Sequence, residues 1–277
     1  MPIDTSSYYP EVPSPDGSDN DRYSLNNNRR GLFGDKPDDR DSEQSSTPPP
    51  PLEPAKTQHA HHGNKDDEES GTERAVTVFS NVLSWVLVPL LMPVYGLILA
   101  FGLSILDVAP MGMRIYFTLI VAGIDVVIPM LIIVLLKKLG YVGDLGLNGR
   151  KERPIPYVII TVCYLATAWF MASKGAPAWL SLFFAGGALA SLVNLVINFW
   201  WKISAHAAGI AGIVALLIRI QKDGSPEPEL FFWLILSLVL TGLLGSARVW
   251  LRRHTVWQVL AGYAVGFCSV FFLTMIK

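Results

Sequence analysis

The sequence is short of the residues that usually announce a function. Its 277 residues include two cysteines, five histidines and 16% charged residues. Cys163 and Cys268 stand alone inside apolar stretches, so they give neither a metal-ligand spacing nor a disulfide framework. The bases are scattered between long apolar segments and form no continuous charged face, which excludes a nucleic-acid partner. The first residues show no basic-then-apolar pattern, so no secretory signal is expected. The formal net charge of -1 is misleading as an average. Residues 1–74 carry sixteen of the 23 acids and eight of the 22 bases, and the rest of the chain is net basic.

What is present divides at about residue 74. Residues 1–74 are rich in Pro, Ser, Asn and Asp and include the run Pro48-Pro49-Pro50-Pro51. Such a segment buries too little apolar surface to offset its ordering entropy, so it is expected to be a disordered acidic tail. The proline run reads as a spacer or as an extended ligand for an aromatic groove. His59, His61 and His62 form a short cluster with no ordered surroundings to orient a metal.

Residues 75–277 read as a domain of another kind. A bilayer-crossing helix needs about 20 mostly apolar residues. Seven stretches qualify or nearly so: 78–105, 113–137, 155–173, 178–200, 205–221, 229–247 and 256–276. The expected fold is an all-α, polytopic bundle of six to seven transmembrane helices, multi-pass in a cell or inner membrane. Pro89, Pro93 and Pro129 are expected to kink or loosen the first two spans.

Ionisable residues are costly inside a membrane, so their positions carry the information. His206 and His254, the only histidines after residue 62, each stand at the mouth of a span. Two spans separate Arg153 from His206, and two more separate His206 from His254. An even number of crossings returns the chain to the same face, so Arg150, Lys151, Arg153, Lys202, Ser204, His206, Arg248, Arg252, Arg253 and His254 converge there. Guanidinium groups bind phosphoryl oxygens bidentately, and two histidines can divide the work of nucleophile and acid. A plain alternative is that such bases anchor loops at the membrane surface, the reading favoured for Lys137, Lys138 and Arg252. The motif face has nine body bases and the opposite face five, yet some are claimed by function, so orientation stays open.

Three pieces follow in order: Arg150-Lys151-Glu152-Arg153-Pro154, then Lys202-Ile203-Ser204-Ala205-His206, then Ser246-Ala247-Arg248 with five residues before His254. Over about residues 146–258 this resembles the type 2 phosphatidic acid phosphatase superfamily, which also includes the vanadium haloperoxidases. The pattern there is Lys-x6-Arg-Pro, Pro-Ser-Gly-His, then Ser-Arg-x5-His-x3-Asp. The resemblance implies that His254 attacks phosphorus, that His206 protonates the leaving alcohol, and that Arg153, Arg248 and Ser204 hold the phosphoryl oxygens. It implies no metal and no other cofactor. Gly146 replaces the pattern's lysine, for which Arg150 or Lys151 can supply charge, and Ile203, Ala205 and Ala247 replace a proline, a glycine and a serine.

Gln258 stands where the pattern has an aspartate to orient the nucleophilic histidine. Four residues beyond His254, its amide oxygen can still accept the Nδ1 proton. Thr255 and Gln258 also match a capping box opening the last helix. Asp125, mid-span, is expected either to accept from a motif residue or to mark a proton or ion path. Asn194 and Asn198, four apart, are expected to bridge helices in preference to meeting a substrate. The function implied is a membrane phosphatase acting on a phosphorylated lipid, either a phosphatidate-like monoester or a polyprenyl diphosphate. The alternative is a catalytically degenerate lipid-phosphate-binding protein or a transporter. The sequence does not fix the oligomeric state.

Overall fold

The computed structural model describes residues 63–141, 149–223 and 228–276, and every regular element among them is helical. In chain order these are α1 (Gly63–Val86), α2 (Met92–Leu103), α3 (Met111–Ala122), α4 (Ile128–Lys138), α5 (Pro154–Ser173), α6 (Ala178–Asn198), α7 (Ala205–Lys222), α8 (Pro228–Trp250) and α9 (Val256–Met275). Seven helical stretches are long and apolar enough to cross a bilayer: Ser70–Leu103, Met111–Lys138, Pro154–Ser173, Ala178–Asn198, Ala205–Lys222, Glu229–Trp250 and Val256–Met275. Their number and order are those expected from hydropathy. The chain is a multi-pass membrane protein.

Residues 1–62 of the expected disordered tail lie outside the described residues, whereas residues 63–74 are helical, as the opening turns of α1.

The prolines shape both of the first two spans. Val88, held extended at φ -65° and ψ 140° ahead of Pro89, ends α1, and a tight 3₁₀ turn over Pro89–Leu91 leads into α2. In the second span Pro129 has no N–H for the carbonyl four residues earlier, that of Asp125. The helix responds with a π-helical turn over Gly123–Val127, in which the Ile128 N–H reaches the Gly123 carbonyl. That turn carries Asp125 inward. The side chain is fully buried and accepts from Thr167 Oγ1 of α5 at 2.9 Å. Of the two expectations for Asp125, acceptance from a motif residue is corrected: its donor is Thr167, because the π-turn faces the middle of α5 and not the helix ends.

At the centre stands α7, the least apolar of the seven spans and the most enclosed. A helix surrounded by other helices needs small side chains for close approach more than it needs grease for lipid. Ala207, Ala208, Ala211, Gly212 and Ala215 are all buried along it. On α9 the pair Gly262 and Gly266 matches this. A Cβ at Gly262 would collide with the Ser204 carbonyl and Ala207, and one at Gly266 with the Ala208 backbone. The first turns of α7 and α9 are therefore pressed together at one end of the bundle.

Candidate functional site

The site lies at that end, where α5, α7 and α9 begin and α6 and α8 finish. Local chemistry sets each entry. Ser204 caps α7, its Oγ accepting from the Ala207 N–H at 3.3 Å, and its own N–H donates to the Gln258 carbonyl at 3.2 Å. Thr255 caps α9 within a capping box: its side chain accepts from the Gln258 N–H while Gln258 Oε1 accepts from the Thr255 N–H at 3.3 Å. Between α8 and α9 the chain reverses through Arg252, whose φ is 52°. The Arg253 N–H returns to the Arg248 carbonyl at 3.1 Å and the Arg252 N–H to the Val249 carbonyl at 2.9 Å, which closes the helix end. This turn brings His254 back over Arg248.

His254 is buried, and its Nδ1 donates to Gln258 Oε1 at 3.1 Å. That bond fixes the proton on Nδ1 and leaves Nε2 as a lone pair with no partner among the described residues. Burial first, then the charges of Arg153, Arg248 and Lys202, push His254 down to about 3, so its ring is neutral at pH 7. His206 lies within electrostatic range of Arg248, His254 and Arg153. Its Nε2 donates to the Ser84 carbonyl at 3.2 Å. Ser84 offers that carbonyl because α1 stops two residues later, ahead of Pro89, and its last carbonyls lack helical partners.

The cations are layered. Arg153 is buried, with NH1 donating to the Ile203 carbonyl at 3.0 Å. Arg248 is also buried, and its Nε has no hydrogen-bond partner among the described residues. Further out, Lys202 is half-buried and Arg253 exposed. Burial first, and then the charges of Arg153, Arg248 and Arg253, lower the Lys202 ammonium from its ordinary value. Such a concentration of positive charge favours an anion.

Of the residues singled out by sequence, Arg153, His206, Arg248 and His254 come together, with Gln258 holding His254. Ser204 is fully buried beside them and spends an oxygen lone pair on the helix cap, which leaves its O–H as the group to offer. Arg150 and Lys151 stay at the surface; Arg150 NH1 donates to the Trp200 carbonyl at 2.6 Å. The lysine standing in the cluster is Lys202. Its place just before the Ser204-Ala205-His206 piece was the available signal. Asn198 bridges as expected, donating from Nδ2 to the Arg150 carbonyl at 3.0 Å. Ser84 carried no signal except Pro89 five residues later. Tyr157, one helical turn past Arg153 and within its electrostatic reach, was also missed.

Inward from the cluster an apolar cavity of about 80 Å³ lies between α5, α6, α7 and the Pro89–Leu91 turn. No protein-family model matches the chain, and no curated protein or solved structure matches it either.

Proposed function

We propose that this protein is an integral membrane phosphatase that removes phosphate from a lipid through a phosphohistidine intermediate, as a divergent relative of the type 2 phosphatidic acid phosphatases. One observation carries the reading: His254 presents a free Nε2, its Nδ1 fixed by Gln258, among Arg153, Arg248 and Lys202 and beside a second histidine. A neutral, oriented imidazole is a nucleophile at pH 7 without prior deprotonation.

The chemistry follows from those positions. The cations hold the phosphoryl oxygens and offset the charge that spreads over them in the transition state. The Nε2 lone pair of His254 forms the bond to phosphorus while the bond from phosphorus to the alcohol oxygen breaks. With the Nε2–H of His206 donating to Ser84, its Nδ1 is a lone pair, which takes the proton of a singly protonated phosphate group and passes it to the departing oxygen. In the second step Nδ1 takes a proton from water as the water oxygen displaces His254. Gln258 accepts the Nδ1 proton of His254 throughout but supplies no countercharge to the phosphorylated ring, so turnover is expected to be slow. Arg150 and Lys151 serve the membrane-proximal surface and draw anions toward the cluster. A lipid substrate is favoured because the cluster adjoins an apolar cavity within the bundle.

The same Gln258 favours the second reading, a lipid-phosphate-binding protein without turnover. Phosphate release from a panel of lipid phosphates by purified protein, with His254→Ala as control, separates the two. Release that survives loss of His254 sinks the phosphatase reading. Binding without release supports the second.

A further inference from the structure

The apolar cavity is arranged in register with the cation cluster. Its wall includes Ala205, the residue between Ser204 and His206, and then Ala208, Gly209 and Gly212 further along the same helix. From Ala205 to Gly212 is about 10 Å along α7. The space therefore runs from the histidines toward the middle of the bundle. Phe183, Phe184 and Val270 close its deeper part. It exceeds the roughly 10–15 Å³ that one water needs on a comparable measure.

Between the charged end and the apolar end the wall changes character. Tyr157 and Asn194 both line the cavity, and both are more than nine-tenths buried. The Asn194 carboxamide oxygen has no hydrogen-bond partner among the described residues, and the Tyr157 hydroxyl has the Arg153 guanidinium on one side and the cavity on the other. Asn194 sits one turn inside Asn198, at the α6 end nearest the cluster, and Tyr157 one turn inside Arg153. Buried polar atoms rarely stay unpaired without a role. Cations, then two polar groups, then an apolar space: the order is that of an amphiphile's head, linker and chain.

We infer that this cavity takes the first part of the hydrocarbon chain of an anionic amphiphile, directed inward between α5, α6 and α7, and that Asn194 and Tyr157 hold a hydroxyl- or N–H-bearing linker between chain and head. The inference rests on reading the cluster as a phosphate site. Because the Asn194 oxygen is an acceptor, the linker must donate. A lipid phosphate with a free hydroxyl or amide N–H near the phosphate fits, whereas a polyprenyl diphosphate has no such donor.

Three non-hydrolysable probes separate the parts: methylphosphonate for the head, dodecylphosphonate for head and chain, and a dodecylphosphonate hydroxylated beside the phosphonate. Binding is measured on the full chain in nanodiscs. Dodecylphosphonate should bind at least ten-fold tighter than methylphosphonate, and the hydroxylated probe several-fold tighter again. Ala190→Leu, which fills the cavity, should erase the chain increment and leave methylphosphonate binding unchanged. Asn194→Leu should erase only the hydroxyl increment. Ile160→Ala, which widens the same space, should shift preference toward a branched chain and guards against a misfolded Ala190→Leu protein. A chain increment that survives Ala190→Leu, with no shift in Ile160→Ala, places the chain in the bilayer and overturns the inference. Should methylphosphonate fail to bind while dodecanol binds and is displaced by Ala190→Leu, the phosphate reading falls and the apolar site stands.

Discussion

One oxygen of Gln258 serves two masters: Oε1 accepts from Nδ1 of His254 at 3.1 Å and from the Thr255 N–H at 3.3 Å. The orientation of the ring and the start of α9 therefore depend on the same atom. Gln258→Ala should lower turnover at least ten-fold with little change in substrate affinity, and should also cost about 1 kcal/mol of stability through the lost cap. Gln258→Glu keeps an acceptor for both donors and adds the missing countercharge, so turnover should rise with the cap intact. Turnover and thermal unfolding on the same purified variants test this. Stability loss without a turnover loss would reduce Gln258 to a cap.

His254 gives a pH dependence of definite sign. Its unfolded pKa is near 6.5 and its folded value about 3. Above 6.5 both states are neutral and this group contributes no slope. Below 6.5 the unfolded chain takes up a proton that the folded ring refuses, so stability falls as pH drops toward 3, with a slope approaching ~1.4 kcal/mol per pH unit. His254→Gln should flatten that part of the curve. Added phosphate should flatten it too, by offsetting the cations around the ring. A wild-type curve no steeper than that of His254→Gln would refute the assignment.

Lys202, and neither Arg150 nor Lys151, stands in the cluster. Lys202→Met should weaken inorganic phosphate binding about ten-fold and, by relieving like-charge crowding, raise the melting temperature of the phosphate-free protein. Lys151→Met should change phosphate binding less than two-fold. Equal effects of the two substitutions would show that the charge acts only over the whole face.

Arg252 adopts a left-handed conformation that a Cβ makes unfavourable. Glycine adopts it freely, so Arg252→Gly should stabilise the protein by about 0.5–1 kcal/mol and leave phosphate binding unaltered. Calorimetry in detergent measures the first and phosphate titration the second. A loss of binding would place Arg252 in the cluster after all.

Gly262 lies under the Ser204 carbonyl, where an added methyl has no room. Gly262→Ala should part the first turns of α7 and α9, destabilise by about 1–3 kcal/mol and impair phosphate binding through separation of His206 from His254. The same substitution at Gly242, which faces open space, should be close to neutral apart from a helix-propensity gain. Binding measured below the melting point of both variants distinguishes positioning from loss of fold.

The sequence by itself determined the spans, their order and the shared face of the three polar pieces. Bilayer thickness sets the length of an apolar helix, and parity of crossings sets sidedness, so neither needs coordinates. It also carried both roles of Gln258, because the spacing His254-x3-Gln258 and the Thr255 cap are local and helical. What depends on contacts between distant segments was decided only in three dimensions. Whether Lys202 or Lys151 joins the cluster turns on which helix end bends inward, and both are bases beside a motif piece. The partner of His206 is a backbone carbonyl, which has no residue type to read, freed because Pro89 ends α1. Asp125 found Thr167 because Pro129 forces a π-turn that re-aims one side chain by a fraction of a turn. The apolar cavity could not be read at all: Ala190, Gly209 and Gly212 are ordinary packing residues in sequence, and only the way α5, α6 and α7 fail to close on one another leaves the space.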